Sequence, residues 1–99
     1  MVAYMLVSIN LEDQSWRKDY RNAVPAIMRS YGGEPNIRSQ GRPIETLEGD
    51  APTPDRVALF TFPSMKAIKD FLNSDAYKPY KDARMASAIT NIIAFEAED

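Results

Sequence analysis

The stretch "VAYMLVSINL", Val2–Leu11, decides how the rest of the chain folds. Its odd positions, Ala3, Met5, Val7, Ile9 and Leu11, are all apolar. Its even positions begin apolar with Val2, Tyr4 and Leu6, then turn polar at Ser8 and Asn10. Side chains alternate between the two faces of a strand, so one face is apolar throughout and the other for half its length. A strand that covers a core on one side needs only the first of these. The sheet containing this one has two faces to bury.

Working outward, Glu12 and Asp13 suit a helix N-terminus, where unpaired N–H groups and the helix dipole favour acids. Trp16, Tyr20, Val24, Ile27 and Tyr31 then recur at three- and four-residue spacing. They form the core stripe of an amphipathic helix, with Arg17, Lys18, Arg21, Asn22 and Arg29 outside it. Pro25 removes one backbone bond and crowds the carbonyl of Arg21, but the stripe continues past it, which predicts a single kinked helix. Gly32-Gly33 ends that helix, because glycine takes the left-handed cap conformation at little cost.

"EPNIRSQ" and "IETLE" read as two short strand pieces around the turn-like "QGRP", and "LEGDAPTPD" as a loop. "RVALFTF" is a further strand, "PSMKAIKDFLN" a helix capped by Ser64, and "ITNIIAFEA" the last strand. Between that helix and that strand lies "SDAYKPYKDAR", Ser74–Arg84, with Pro79 in its middle. Proline fits the first turn of a helix, where its missing N–H has no partner to lose. The preceding helix therefore stops near Asn73, and a new helical piece starts near Asp75 or Ala76. Tyr77, Tyr80, Arg84 and Ser87 fall on one side of that piece.

This order gives an α+β fold, a ferredoxin-like βαββαβ protomer spanning 1–99 as one domain, with helices on one face of an antiparallel sheet. Its other face would carry Tyr4, Leu6 and half of "VALFTF" and "IIAF". Soluble monomers rarely expose so large an apolar patch. A second copy laid sheet to sheet is the natural cover, making a two-fold homodimer.

The chain resembles a known family, the domain of unknown function 1330, within the dimeric α/β-barrel superfamily. The resemblance rests on Tyr4, Tyr20, Pro25, "YGG" at 31–33, Arg38, "LEGD" at 47–50, Arg56, "FPSM" at 62–65, Ser74, Tyr77, Arg84, Ala86 and Ser87. It departs from the family pattern at Ala51, where a tryptophan is common, and at Leu72-Asn73, where an aromatic often stands. The resemblance implies a ferredoxin-like protomer whose sheets pair face to face into a barrel. It implies little about activity.

Composition excludes more than it assigns. With 44% hydrophobic and 26% charged residues, the chain is built to fold. A formal charge of −2 argues against a nucleic-acid partner. No apolar run approaches the roughly 20 residues of a membrane helix, and the start lacks a basic leader, so a cytoplasmic protein without membrane partners is expected. Cysteine and histidine are both absent, which removes the usual ligands of zinc, copper, iron and haem, and the base of serine or threonine nucleophile schemes. Glu45 and Glu48 match no calcium-loop pattern, and "YGGEPN" runs from helix to strand, the wrong order for a phosphate loop. No metal and no cofactor is expected.

Two arginines remain. Arg38 faces away from its neighbour Ile37 in a strand, and Arg84 ends the tyrosine-bearing helical piece. With Tyr77, Tyr4 or Ser8 they form a candidate site for a small anionic or carbonyl-bearing molecule, since guanidinium matches carboxylate in a two-pronged fashion. The plainer alternative is that Arg84 stabilises a helix C-terminus and Arg38 pairs with Glu34 or Glu48. Trp16 and Tyr20 read as core residues, and Asp13, Asp50 and Asp55 as turn or cap residues. Three functions stay open: a ligand-binding homodimer, a cofactor-independent enzyme of oxygenase or isomerase type, and a structural or regulatory dimer without ligand.

Overall fold

The computed structural model describes residues 2–11, 15–39 and 42–98. Glu12, Asp13 and the Gln40-Gly41 part of the expected turn lie outside the described residues, as do the side chains of Leu11 and Ser87. The elements run β1 (Val2–Leu11), α1 (Arg17–Ser30), β2 (Glu34–Arg38), β3 (Arg56–Phe62), α2 (Met65–Leu72), α3 (Lys78–Ser87) and β4 (Ala88–Ala97). The four strands form one antiparallel sheet in the order β2-β3-β1-β4. This is the α+β, ferredoxin-like arrangement expected from the element order.

Register assigns every strand residue to a face. Met5 lies opposite Phe60 and Ala94, Val7 opposite Ala58 and Ile92, and Ile9 opposite Arg56 and Thr90. These residues share the helix-covered face. There Ala3, Met5, Val7, Phe60 and Phe62 join Val24 and Met28 of α1 and Ile68 and Phe71 of α2 in the core. Residues one position away point to the opposite, open face. Ile89, Ile93 and Phe95 of β4 and Ile37 of β2 are each half or more exposed there, and Tyr4 stacks on Phe95 at 5.6 Å between ring centres. The second apolar face read from β1 is present.

The helix ends follow local chemistry. At the end of α1, Gly33 N–H donates to the Met28 carbonyl and Gly32 N–H to that of Arg29, while Gly32 takes φ +82°. Gly33 is buried, and a Cβ on it would sit 2.5 Å from Met28 and 2.6 Å from the Phe62 ring, so only glycine fits. The Ser64 hydroxyl accepts from Ala67 N–H and caps α2. α1 is continuous through Pro25, as the unbroken stripe requires.

One expected element is missing. "IETLE" forms no strand, and residues 42–47 carry no regular structure. β3 pairs β2 on one edge and β1 on the other, which leaves β2 at the edge of the sheet. No described strand pairs the outer edge of β2, and Pro43 removes one backbone donor that pairing there would use.

Candidate functional site

A cavity of about 500 Å³ opens between α1, α3 and the helix-covered face of the sheet. Its walls are apolar where β1 supplies Met5, Val7 and Ile9, and where Val24 and Phe60 face them. The polar lining is arginine and tyrosine. Arg17 and Arg21 come from α1, Arg38 and Arg56 from the ends of β2 and β3, and Arg84 from α3. Five of the chain's seven arginines meet here, with none of its five lysines. No aspartate or glutamate lines the cavity among the described residues.

Each arginine is aimed inward by an identifiable local cause. On α1, Arg17, Arg21, Val24 and Met28 follow one another at three- and four-residue steps and share a face. On β3, Arg56 alternates with Ala58, Phe60 and Phe62, all on the helix side. On β2 a register irregularity between Pro35 and Ile37 sets Ile37 opposite Leu59 and Arg38 opposite Ala58. Ile37 therefore takes the open face, and Arg38 turns to the cavity, with its guanidinium 5.9 Å from the centre of the Phe60 ring. Arg84 lies on α3, which Ser74 sets in place: its hydroxyl donates to the Phe71 carbonyl and accepts from Tyr77 N–H. The α2–α3 break sits where Pro79 requires it, with Asn73 closing α2 and Lys78 opening α3.

Arg84 is 4% exposed, and its Nε has no hydrogen-bond partner among the described residues. Its place in the last turn of α3 gains about 0.3–1 kcal/mol from the helix dipole. Burying an ion costs several kcal/mol unless it is paired. The dipole cannot cover that cost, so helix stabilisation does not account for Arg84. Arg38 pairs with neither glutamate considered for it, among the described ion pairs. Glu34 instead meets Arg29 at the surface, at 3.9 Å.

Beside Arg84 lies a pair of tyrosines. The Tyr20 and Tyr77 hydroxyls are hydrogen-bonded at 2.6 Å, and Tyr77 stacks on Phe71 with ring centres 4.4 Å apart. Burial pushes the Tyr20 hydroxyl well above the ordinary tyrosine range; Tyr77 adds to the shift, while Arg84 and Arg38 oppose it. Tyr20 is thus a neutral hydrogen-bonding group at physiological pH. Trp16 packs edge-on against Tyr20 at 5.2 Å and lines the mouth of the cavity.

Of the five residues expected from the sequence to form a site, the structure brings together Arg38, Arg84 and Tyr77. Tyr4 and Ser8 are not with them. Both occupy even positions of β1 and point to the open face, where Tyr4 stacks on Phe95 and the Ser8 hydroxyl reaches toward the Asn91 carbonyl at 3.5 Å. Arg17, Arg21, Arg56, Trp16 and Tyr20 were missed as site residues. The signals were available: the α1 stripe admits Arg17 and Arg21 one step aside, and period two in β3 puts Arg56 with Phe60.

Fold and site define a ferredoxin-like α+β protomer with an arginine-lined cavity between its helices and its sheet. The chain belongs to the family described as Domain of unknown function (DUF1330), whose model matches residues 2–97. Among solved structures it resembles a protein of unknown function from Rhodopseudomonas palustris, at 17% identity and TM-score 0.79, covering 99% of this chain and 83% of that one. It also resembles SnoaB, a cofactor-independent oxygenase from Streptomyces nogalater, at 11% identity and TM-score 0.67, with 99% and 94% covered. A dimeric ferredoxin-like protein of unknown function from Jannaschia sp. CCS1 matches at 14% identity and TM-score 0.62, with 98% and 100% covered. At these identities the likeness is one of fold. No curated protein matches the chain.

Proposed function

We propose that this protein is a cytoplasmic homodimer that binds a small anionic organic molecule in the cavity. The observation that carries this reading is the buried Arg84, whose Nε has no hydrogen-bond partner among the described residues, in a cavity that no described carboxylate lines. A bound carboxylate supplies the missing charge, and the apolar walls take its hydrocarbon part. With the chain as a whole at −2, a local excess of arginines also draws anions to the opening. The homodimer is supported by the apolar open face and by the dimeric fold relative.

Benzoate and octanoate are suitable probes. Each is expected to raise the melting temperature and give saturable binding heat, and Arg84→Met is expected to abolish both effects. Absence of any response in the native protein favours a structural or regulatory dimer without ligand.

A second reading, a cofactor-independent enzyme on a small carbonyl-bearing substrate, is favoured by the Tyr20–Tyr77 pair beside Arg84. Two neutral hydroxyls and a guanidinium can hold an oxygen on which negative charge develops. Turnover of a bound carbonyl compound without added metal or nucleotide, lost in Tyr77→Phe, would support it.

A further inference from the structure

The aromatic residues of the cavity form a connected run. Trp16, Tyr20, Tyr77 and Phe71 all line it. Ring centres lie 5.2 Å apart from Trp16 to Tyr20, 6.0 Å from Tyr20 to Tyr77 and 4.4 Å from Tyr77 to Phe71. All three are contact spacings for aromatic rings. Three segments supply the run: the start of α1, the end of α2 and the residue that opens α3. The helix side of the cavity is therefore a wall of rings, while the sheet side offers Met5, Val7 and Phe60.

Arg84 has a fixed relation to that wall. It follows Tyr77 by seven residues along α3, almost two full turns, so the two share a side of the helix. Helical side chains lean toward the N-terminus, which carries the Arg84 guanidinium back toward the tyrosine. Both residues line the cavity. An acid seated on Arg84 thus presents the rest of its molecule to the rings.

Saturated and aromatic molecules gain differently from such a wall. Burial of apolar area favours either, and the saturated one is the more hydrophobic. Stacked and edge-to-face contacts add to burial only when the ligand has a π system of its own. A flat ring can also lie with one face on the helix wall and the other on the sheet wall. At about 500 Å³ the cavity has room for more than one six-membered ring.

Building on the anion-binding reading above, we propose that the ligand is an aromatic acid, with its carboxylate on Arg84 and its ring, single or fused, against the run of Trp16, Tyr20, Tyr77 and Phe71.

The test compares matched acids by calorimetry on the full chain: benzoate against cyclohexanecarboxylate, and 2-naphthoate against decahydro-2-naphthoate. Each aromatic acid is expected to bind at least about threefold tighter than its saturated counterpart, against the order of hydrophobicity. Benzamide, which keeps the ring and loses the charge, is expected to bind at least about tenfold weaker than benzoate. Trp16→Leu shortens the ring wall and leaves Arg84 in place. It is expected to weaken 2-naphthoate by at least about threefold and the decahydro acid by less than about twofold. Saturated acids that bind the native protein as tightly as aromatic ones overturn this inference and leave the anion-binding reading intact. That comparison decides the matter whether or not the variant folds. Equal weakening of both acids in a folded Trp16→Leu overturns the placing of the ligand ring at Trp16. Benzamide binding as tightly as benzoate overturns the anion-binding reading, and the acid assigned here with it. Failure of all four acids to bind overturns both.

Discussion

Arg84 and Tyr20 behave oppositely at the residue scale, although both are largely removed from water. Arg84 is buried with its Nε unpartnered among the described residues, so replacing it with methionine removes a cost along with the cation. Arg84→Met is therefore expected to keep or raise the urea midpoint of the ligand-free protein while losing carboxylate binding. A fall of several kcal/mol in stability would show instead that Arg84 holds the fold together. Tyr20 is neutral and satisfied by Tyr77, and Tyr20→Phe leaves a buried hydroxyl alone, costing about 1–3 kcal/mol. Its raised ionisation also has a direction in pH. The unfolded chain releases the tyrosine proton near pH 10 while the folded state retains it, so this contribution is whole below about pH 10 and lost above it. Native stability should decline above that pH with a component absent from Tyr20→Phe. Denaturation midpoints measured from about pH 8 to 11.5 would reveal it.

At the level of elements, the cavity depends on two short devices. Ser74 ties the end of α2 to the start of α3, and Ser74→Ala is expected to cost about 0.5–2 kcal/mol and to weaken carboxylate binding, by displacing Arg84. Gly33→Ala drives a methyl into the Phe62 ring and should cost about 1–3 kcal/mol, read from the urea midpoint. Elements of this kind were legible in the sequence because glycine, proline and a capping serine act locally. The two-faced β1, the Pro79 break and the Gly32-Gly33 stop all stand where the chain's own chemistry requires. "IETLE" misled because alternation says what a strand would look like, and not whether the chain pairs there: no described strand takes the outer edge of β2, and Pro43 withholds a donor beside it. The site was half legible for a related reason. Period two separates Tyr4 and Ser8 from Met5 and Val7, but only the register between strands tells which face the helices cover. Arg21 and Arg56 are 35 positions apart in the chain, one on a helix and one on a strand, and nothing local announces that they line one cavity.

For the whole molecule, the proposed pairing of two copies turns on the open apolar face. Ile93 is 62% exposed in the protomer, so Ile93→Asp does little to the protomer's own core. In sedimentation at micromolar concentration the native chain is expected to run as a dimer and the variant as a monomer. A native chain that sediments as a monomer refutes the sheet-to-sheet pairing. The junction of α3 and β4 adds a constraint of another sort. Ser87 ends the helix and Ala88 opens the strand, with no residue between them to take up slack. An extra glycine placed there has no loop to hide in. It would push β4 one step along β1, turning Ile93 and Phe95 inward and Ile92 and Ala94 out to the solvent. Length changes in this chain are thus tolerable between β2 and β3, and ruinous where the helix hands over to the final strand.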